Sequence, residues 1–179
     1  IDPGASYTVD QLLHALIMSS ANDAAVALAR ANGGLAPTVQ QMTEVAHSIG
    51  AVDTAPKNTS GLDATGQVTT AYDLALIGRA TLADERMARM VTTRVIDFPG
   101  GRTKQGQPRT KYQINNHNRL LWNYDGTIGV KNGYTIKARQ TYIGAARRGD
   151  QAYLVTYLAG ETNGWRPTAA LLDWAFAYG

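Results

Sequence analysis

The stretch that most constrains this chain is Thr8 to Arg30, TVDQLLHALIMSSANDAAVALAR. Thr8 followed three residues later by Gln11 is a capping-box pattern and starts a helix at Val9. Leu12, Leu13, Leu16 and Ile17 then fall on one face of it. Ser20 and Asp23 repeat the pattern less strongly, just before the alanine-rich run Ala24 to Ala31. Two short helices therefore meet at Ser20-Ala21-Asn22, a polar junction between segments whose apolar faces demand burial. Taken alone, Ser20 reads as an N-cap whose hydroxyl satisfies an orphan N–H of the second helix.

A chemical reading of the junction needs a second element, and Gly129-Val130-Lys131-Asn132-Gly133-Tyr134-Thr135 supplies one far downstream. A lysine on a strand, followed by a small residue and a glycine, presents an ammonium beside an edge that a substrate backbone can approach. Lys131 can hold a carboxylate or a developing charge. Asn132 can donate to that carboxylate, and the Tyr134 amide can serve as an oxyanion donor. By itself, Lys131-Asn132-Gly133 reads as a turn with a solvated lysine, since Asn-Gly is a strong hairpin dipeptide. The two motifs inform more together, in this order and at this separation, than either does alone.

The rest of the chain sets the frame. Its 179 residues suffice for one domain with a proper core. A net charge of +3 with scattered Lys and Arg favours small anionic ligands or an anionic surface over dedicated nucleic-acid binding. There is no cysteine, which excludes disulfide and thiol chemistry. His14, His47 and His117 lack metal-ligand spacing, and no cofactor is implied. No apolar run approaches membrane-spanning length and no signal peptide is present, so any export signal or anchor is expected outside this sequence.

In chain order, Asn32-Gly33-Gly34 stops the second helix, and Thr38 with Gln41 opens a third over about Val39 to Ile49, ending at Gly50. Pro56 to Gly66 is a loop. Thr70 with Asp73 opens a fourth helix with Leu74, Ile77 and Leu82 on its buried side, and Asp84 caps a short fifth. The period then changes to two: Thr93 to Phe98 and Arg109 to Ile114 form a hairpin around the turn-rich Pro99 to Pro108. Asn115 to Tyr124 is a polar connection anchored by Leu120, Leu121 and Trp122. Thr127 to Asn132, Arg139 to Ala146 and Gln151 to Ala159 are strands, the last apolar on both faces and so expected at the centre of the sheet. Gly144, Ala145 and Ala146 suit close approach of a helix. Pro167 opens a terminal helix with the stripe Leu171, Trp174, Ala175 and Tyr178. No repeat or linker is visible. The expectation is one α+β domain over 1–179, helical over about 8–92, with an antiparallel sheet and terminal helix over about 93–179.

These residues resemble a family. Ser20-Ala21-Asn22-Asp23-Ala24, Ser60-Gly61-Leu62-Asp63, Thr70-Ala71-Tyr72-Asp73-Leu74-Ala75, Asn116-His117-Asn118-Arg119-Leu120-Leu121, Gly129 to Thr135 and Leu172-Asp173-Trp174 look like the low-molecular-mass penicillin-binding proteins, specifically the D-alanyl-D-alanine carboxypeptidases. The similarity runs nearly end to end. It implies the penicillin-recognising serine acyltransferase fold (β-lactamase/transpeptidase-like), an antiparallel sheet flanked by helices. It also implies an exported enzyme at the outer face of the cytoplasmic membrane, in the periplasm or in the cell wall. Such an enzyme trims the terminal D-alanine of peptidoglycan stem peptides ending in D-Ala-D-Ala through an acyl-enzyme, and is acylated by β-lactams. By the resemblance, Ser20 relays a proton toward the leaving amine, and Asn22 orients the substrate amide and the catalytic lysine. Lys131 tunes Ser20 and attracts the substrate carboxylate, with Asn132, Gly133 and Tyr134 binding substrate. Asn132 stands where most members have threonine or serine.

One family motif is missing. Ser-x-x-Lys, which supplies nucleophile and base, should precede Ser-x-Asn. Here Ser6 meets Val9, Ser20 meets Asp23, Ser48 meets Ala51 and Ser60 meets Asp63; Thr54-Ala55-Pro56-Lys57 has the spacing but a proline in a loop. The expectation is therefore a catalytic domain without its N-terminal part, inactive alone, with the missing segment or a second chain covering its exposed core. A non-catalytic cell-wall peptide binder lacking the nucleophile is the alternative. A class A-like β-lactamase is a more distant one, since its deacylating glutamate has no evident counterpart.

Overall fold

The computed structural model describes residues 1–100, 111–161 and 163–179. Helix α1, Val9–Ser19, starts where the sequence places it. The Thr8 hydroxyl accepts from the Gln11 N–H at 3.1 Å, and Gln11 Oε1 accepts from the Thr8 N–H at 2.9 Å. Its buried residues are Leu12, Ala15, Ile17 and Met18, while Leu13 and Leu16 are half-buried. That wider stripe lets α1 serve two cores. Leu12, Ala15 and Met18 pack with Ala24, Phe98 and Ile114; Ile17 packs with Met90, Val91, Val130, Ile143 and Ala145.

Helix α2, Asn22–Ala31, buries Ala24, Ala25 and Ala29. The second capping box does not form: Ala21 occupies the cap position with no side-chain bond, because Ser20 is taken up in ending α1. Helix α3 runs over Leu35–Ser48, four residues longer at its start than expected. Thr38 lies inside the first turn, its hydroxyl bonded back to the Gly34 carbonyl at 2.7 Å, and Pro37 sits where an N–H would have no helical partner. Helices α4, Ala71–Ala83, and α5, Glu85–Thr92, are capped by Thr70 and Asp84 as expected. Leu74 and Leu82 are only partly buried against the second core, and Gly78 is the buried contact point of α4.

Strands β1, Val95–Pro99, and β2, Lys111–Asn115, form the antiparallel hairpin with Ile96 opposite Ile114. Most of its predicted turn, and Arg109, lie outside the described residues. The connection that follows contains a short helix α6, Leu120–Asn123; Leu120 and Leu121 are buried, but Trp122 is exposed. Strands β3, Thr127–Thr135, β4, Arg139–Arg148, and β5, Gln151–Gly160, make a second antiparallel sheet in the order β3-β4-β5. Two expectations fail here. Asn132-Gly133 is not a turn but strand, paired with Tyr142 and Thr141, because pairing with β4 outweighs the local turn preference. β5 lies at the edge of this sheet and β4 at its centre. The two-faced apolarity of β5 reports helices on both sides: Leu154 packs toward α4, and Tyr153, Val155 and Tyr157 pack toward the terminal helix α7, Trp165–Tyr178.

α7 begins two residues before Pro167 and turns inward a face that shares only Ala175 with the one expected. Thr168, Leu172 and Ala175 are buried, whereas Leu171, Trp174 and Tyr178 are 41, 62 and 77% exposed. The small-residue contact decides the face. A Cβ on Gly144 would lie 2.3 Å from Thr168 Cγ2, so the glycine of β4 admits Thr168 and fixes the helix rotation. On the opposite face, a Cβ on Gly78 of α4 would lie 2.6 Å from Ile143 Cγ2. The α+β expectation holds, with the helical cluster on one face of the sheet and α7 on the other.

Candidate active site

The site forms where the end of α1 meets β3. Ser20 ends α1 with φ 56 and ψ 42, the left-handed region that a non-glycine residue enters at about 1–2 kcal/mol. The Ala21 N–H reaches back to the Ala15 carbonyl at 3.2 Å, closing the helix. Ser20 makes no capping bond to α2. Its hydroxyl instead accepts from Lys131 Nζ at 2.6 Å, across 111 residues of sequence. A serine placed in a strained turn with its oxygen on a distant ammonium is held for that contact.

Lys131 lies on β3, and its ammonium also donates to the Asn132 carbonyl at 2.6 Å. Among the described residues no carboxylate pairs with it. Burial pulls its pKa down to about 8. An ammonium solvated by a hydroxyl and a carbonyl, and lacking a counter-ion, is poised for an incoming anion. Because Ser20 accepts from Lys131, its own O–H proton stays free for donation.

The other expected site residues differ in how they join this pair. Asn22 opens α2 beside Ser20, exposed, with no side-chain hydrogen bond among the described residues. Asn132 is half-buried; its Oδ1 is enclosed without a partner. Gly133 leaves room for its neighbour: a Cβ there would lie 2.8 Å from Thr141 Oγ1. Tyr134 is 58% exposed at the free edge of β3.

Two residues that contact elements of the site were not singled out as site residues by sequence reasoning. The His117 N–H donates to the Met18 carbonyl at 2.8 Å, tying the connection after β2 to the turn that carries Ser20. His117 lines two clefts of about 320 and 450 Å³. Burial, then repulsion from the Lys131 ammonium, holds its pKa below the ordinary histidine value. The only trace of it in the sequence was its place in the Asn116-His117-Asn118 stretch. The second residue is Asp63, whose carboxylate reaches the end of β3 at Thr135.

The sequence profile of the D-alanyl-D-alanine carboxypeptidases matches residues 1–161. The chain belongs to that family. Its relatives include D-alanyl-D-alanine carboxypeptidase DacB2 of Mycobacterium tuberculosis, 39% identical over 184 residues, and DacA of Escherichia coli K12, 31% identical over 183. Each alignment covers 99% of this chain, but the chain spans only 61% and 43% of those proteins' lengths. Among solved structures, a D-alanyl-D-alanine carboxypeptidase from M. tuberculosis H37Rv is 38% identical and superposes with a TM-score of 0.89 over 100% of this chain and 68% of its own. The Streptomyces K15 DD-transpeptidase is 29% identical with a TM-score of 0.85, over 99% of this chain and 71% of its own. The fold is therefore that of the penicillin-binding DD-peptidases. No described helix is long and apolar enough to cross a membrane.

Proposed function

We propose that this chain is the larger part of the acyl-transfer domain of an exported serine D-Ala-D-Ala carboxypeptidase. Its substrate is a peptidoglycan stem peptide ending in D-Ala-D-Ala, and β-lactams acylate it. The carrying observation is the 2.6 Å contact between Lys131 Nζ and Ser20 Oγ, on an ammonium that no carboxylate among the described residues neutralises. The nucleophile and its base come from a Ser-x-x-Lys segment of the longer protein, outside this sequence. That serine attacks the carbonyl of the penultimate D-alanine, and the tetrahedral oxyanion is held by backbone N–H groups that include Tyr134's. As the C–N bond breaks, Ser20 passes a proton to the leaving amine of the terminal D-alanine. Water then hydrolyses the ester.

Lys131 supports the relay through its charge and, with Asn132, receives the substrate's terminal carboxylate. The enclosed Oδ1 of Asn132 favours this reading, because the amide then turns its donor end outward. Gly133 keeps the strand edge open to the peptide, and Asn22 lies beside Ser20 where a substrate amide would run.

The test uses fluorescent penicillin. A protein extended upstream through Ser-x-x-Lys should be labelled, and the 179-residue chain alone should not. Ser20→Ala and Lys131→Ala should each cut acylation severely, with the double variant little worse than the poorer single, since groups acting as a unit are non-additive. Additive losses would break the relay. Peptide binding without any acylation of the extended protein would establish a non-catalytic binder instead.

A further inference from the structure

The loop 57–67 has no task in the reaction as described, yet its own side chains build it firmly. Asn58 Oδ1 accepts from the Ser60 and Gly61 N–H groups at 3.1 and 2.8 Å. Gln67 Oε1 accepts from the Lys57 N–H at 3.0 Å, and its amide nitrogen donates to the Leu62 carbonyl at 2.7 Å. Side-chain bonds of this kind hold a polar loop in one shape without secondary structure.

The loop carries Asp63. Its Oδ1 accepts from the Thr135 hydroxyl at 2.7 Å, and its Oδ2 from the Lys137 N–H at 3.4 Å, across 72 and 74 residues. Thr135 Oγ1 in turn accepts from the Ala138 N–H at 2.9 Å, so both ends of the β3–β4 turn hang on one carboxylate. Among the described residues, no other side-chain hydrogen bond ties positions 134–139 to another element. β3 is an edge strand and contains Gly133, which has no side chain to lodge it.

We propose that Asp63 is a positioning residue. It clasps the end of β3 to the loop preceding α4, and so holds the Tyr134 amide where a substrate oxyanion develops. This rests on the acyl-transfer reading. Thr135 follows Tyr134 directly, so freeing its side chain loosens the strand end next to the Gly133–Tyr134 peptide that carries the donor N–H. Oxyanion stabilisation depends on donor placement at the level of a fraction of an ångström.

The experiment uses the longer protein carrying its Ser-x-x-Lys segment. Reaction rates over a range of β-lactam concentrations resolve the acylation rate constant and the affinity of the initial non-covalent complex. Asp63→Ala should lower the rate constant on the order of tenfold and leave the affinity nearly unchanged. Thr135→Val should do the same from the other side, with the double variant no worse than either. Asp63→Asn keeps an acceptor oxygen for Thr135 and should recover most of the rate. A thermal melt of each variant normalises rates to folded protein. Equal rates per folded molecule for Asp63→Ala and an acylated unsubstituted protein would overturn the inference alone. So would a loss confined to affinity. No acylation of the unsubstituted protein would remove the acyl-transfer reading and this role with it.

Discussion

Lys131 pulls stability and activity in opposite directions over one pH window. Its folded pKa of about 8 lies below that of an unfolded lysine, so the unfolded chain binds this proton more tightly. Below about pH 8 the folded protein bears the full cost of burying the charge; between there and the unfolded value the cost fades and stability rises. Acylation should run the other way. With the ammonium as the acting form, the rate falls as pH rises through about 8. Lys131→Arg, charged throughout, should move that descent out of range. Labelling rates between about pH 6 and 11, bracketing the folded and unfolded lysine values, check both limbs when read beside urea midpoints. A rate that stays flat across that range would remove the ammonium from the mechanism. The pairing of Ser20 with Lys131 was legible in the sequence only as two motifs in order. The left-handed turn that aims Ser20 was not, because Ser-x-x-Asp mimics a cap and nothing local tells a helix end from a helix start.

At the scale of elements, the sheet is approached from both sides at glycines. Gly144 of β4 lies under Thr168 of α7, and Gly78 of α4 lies over Ile143 and Leu154. Gly144→Ala should destabilise the fold by about 1–3 kcal/mol through overpacking. Adding Thr168→Ser should restore part of it, since serine drops the offending methyl and keeps the bond to the Gly164 carbonyl, 2.7 Å in the parent. Urea denaturation of the single and double variants measures the recovery; strict additivity would mean the two sites do not touch. The small run at 144–146 was readable as a helix contact. The inward face of α7 was not, because two stripes satisfy its periodicity, and the bulky one at Leu171, Trp174 and Tyr178 offers more apolar surface than one that includes Thr168. The end of β3 failed for a similar reason: Asn-Gly is a strong local turn signal, whereas its β4 partners Tyr142 and Thr141 are close only in the fold.

At the scale of the molecule, the outer edge of β5 has no strand partner among the described residues, and α7, which packs against β5, leaves its aromatic stripe exposed. An open edge and uncovered apolar side chains recruit company. A polypeptide of residues 1–179 alone should self-associate, and the protein extended upstream should sediment as a smaller species. Analytical ultracentrifugation with intact mass decides; a cooperative monomer of the short chain would show that its core needs no cover. The Ser20–Lys131 contact has a kinetic side as well. A pair separated by 111 residues closes the largest chain loop of any side-chain hydrogen bond among the described residues, and a loop that long forms only after its ends are carried together by other docking events. The capped helices and the β3–β4–β5 meander are local and can form early. The relay is among the last arrangements to appear as the chain folds, and it registers whether the helical and sheet halves have found each other.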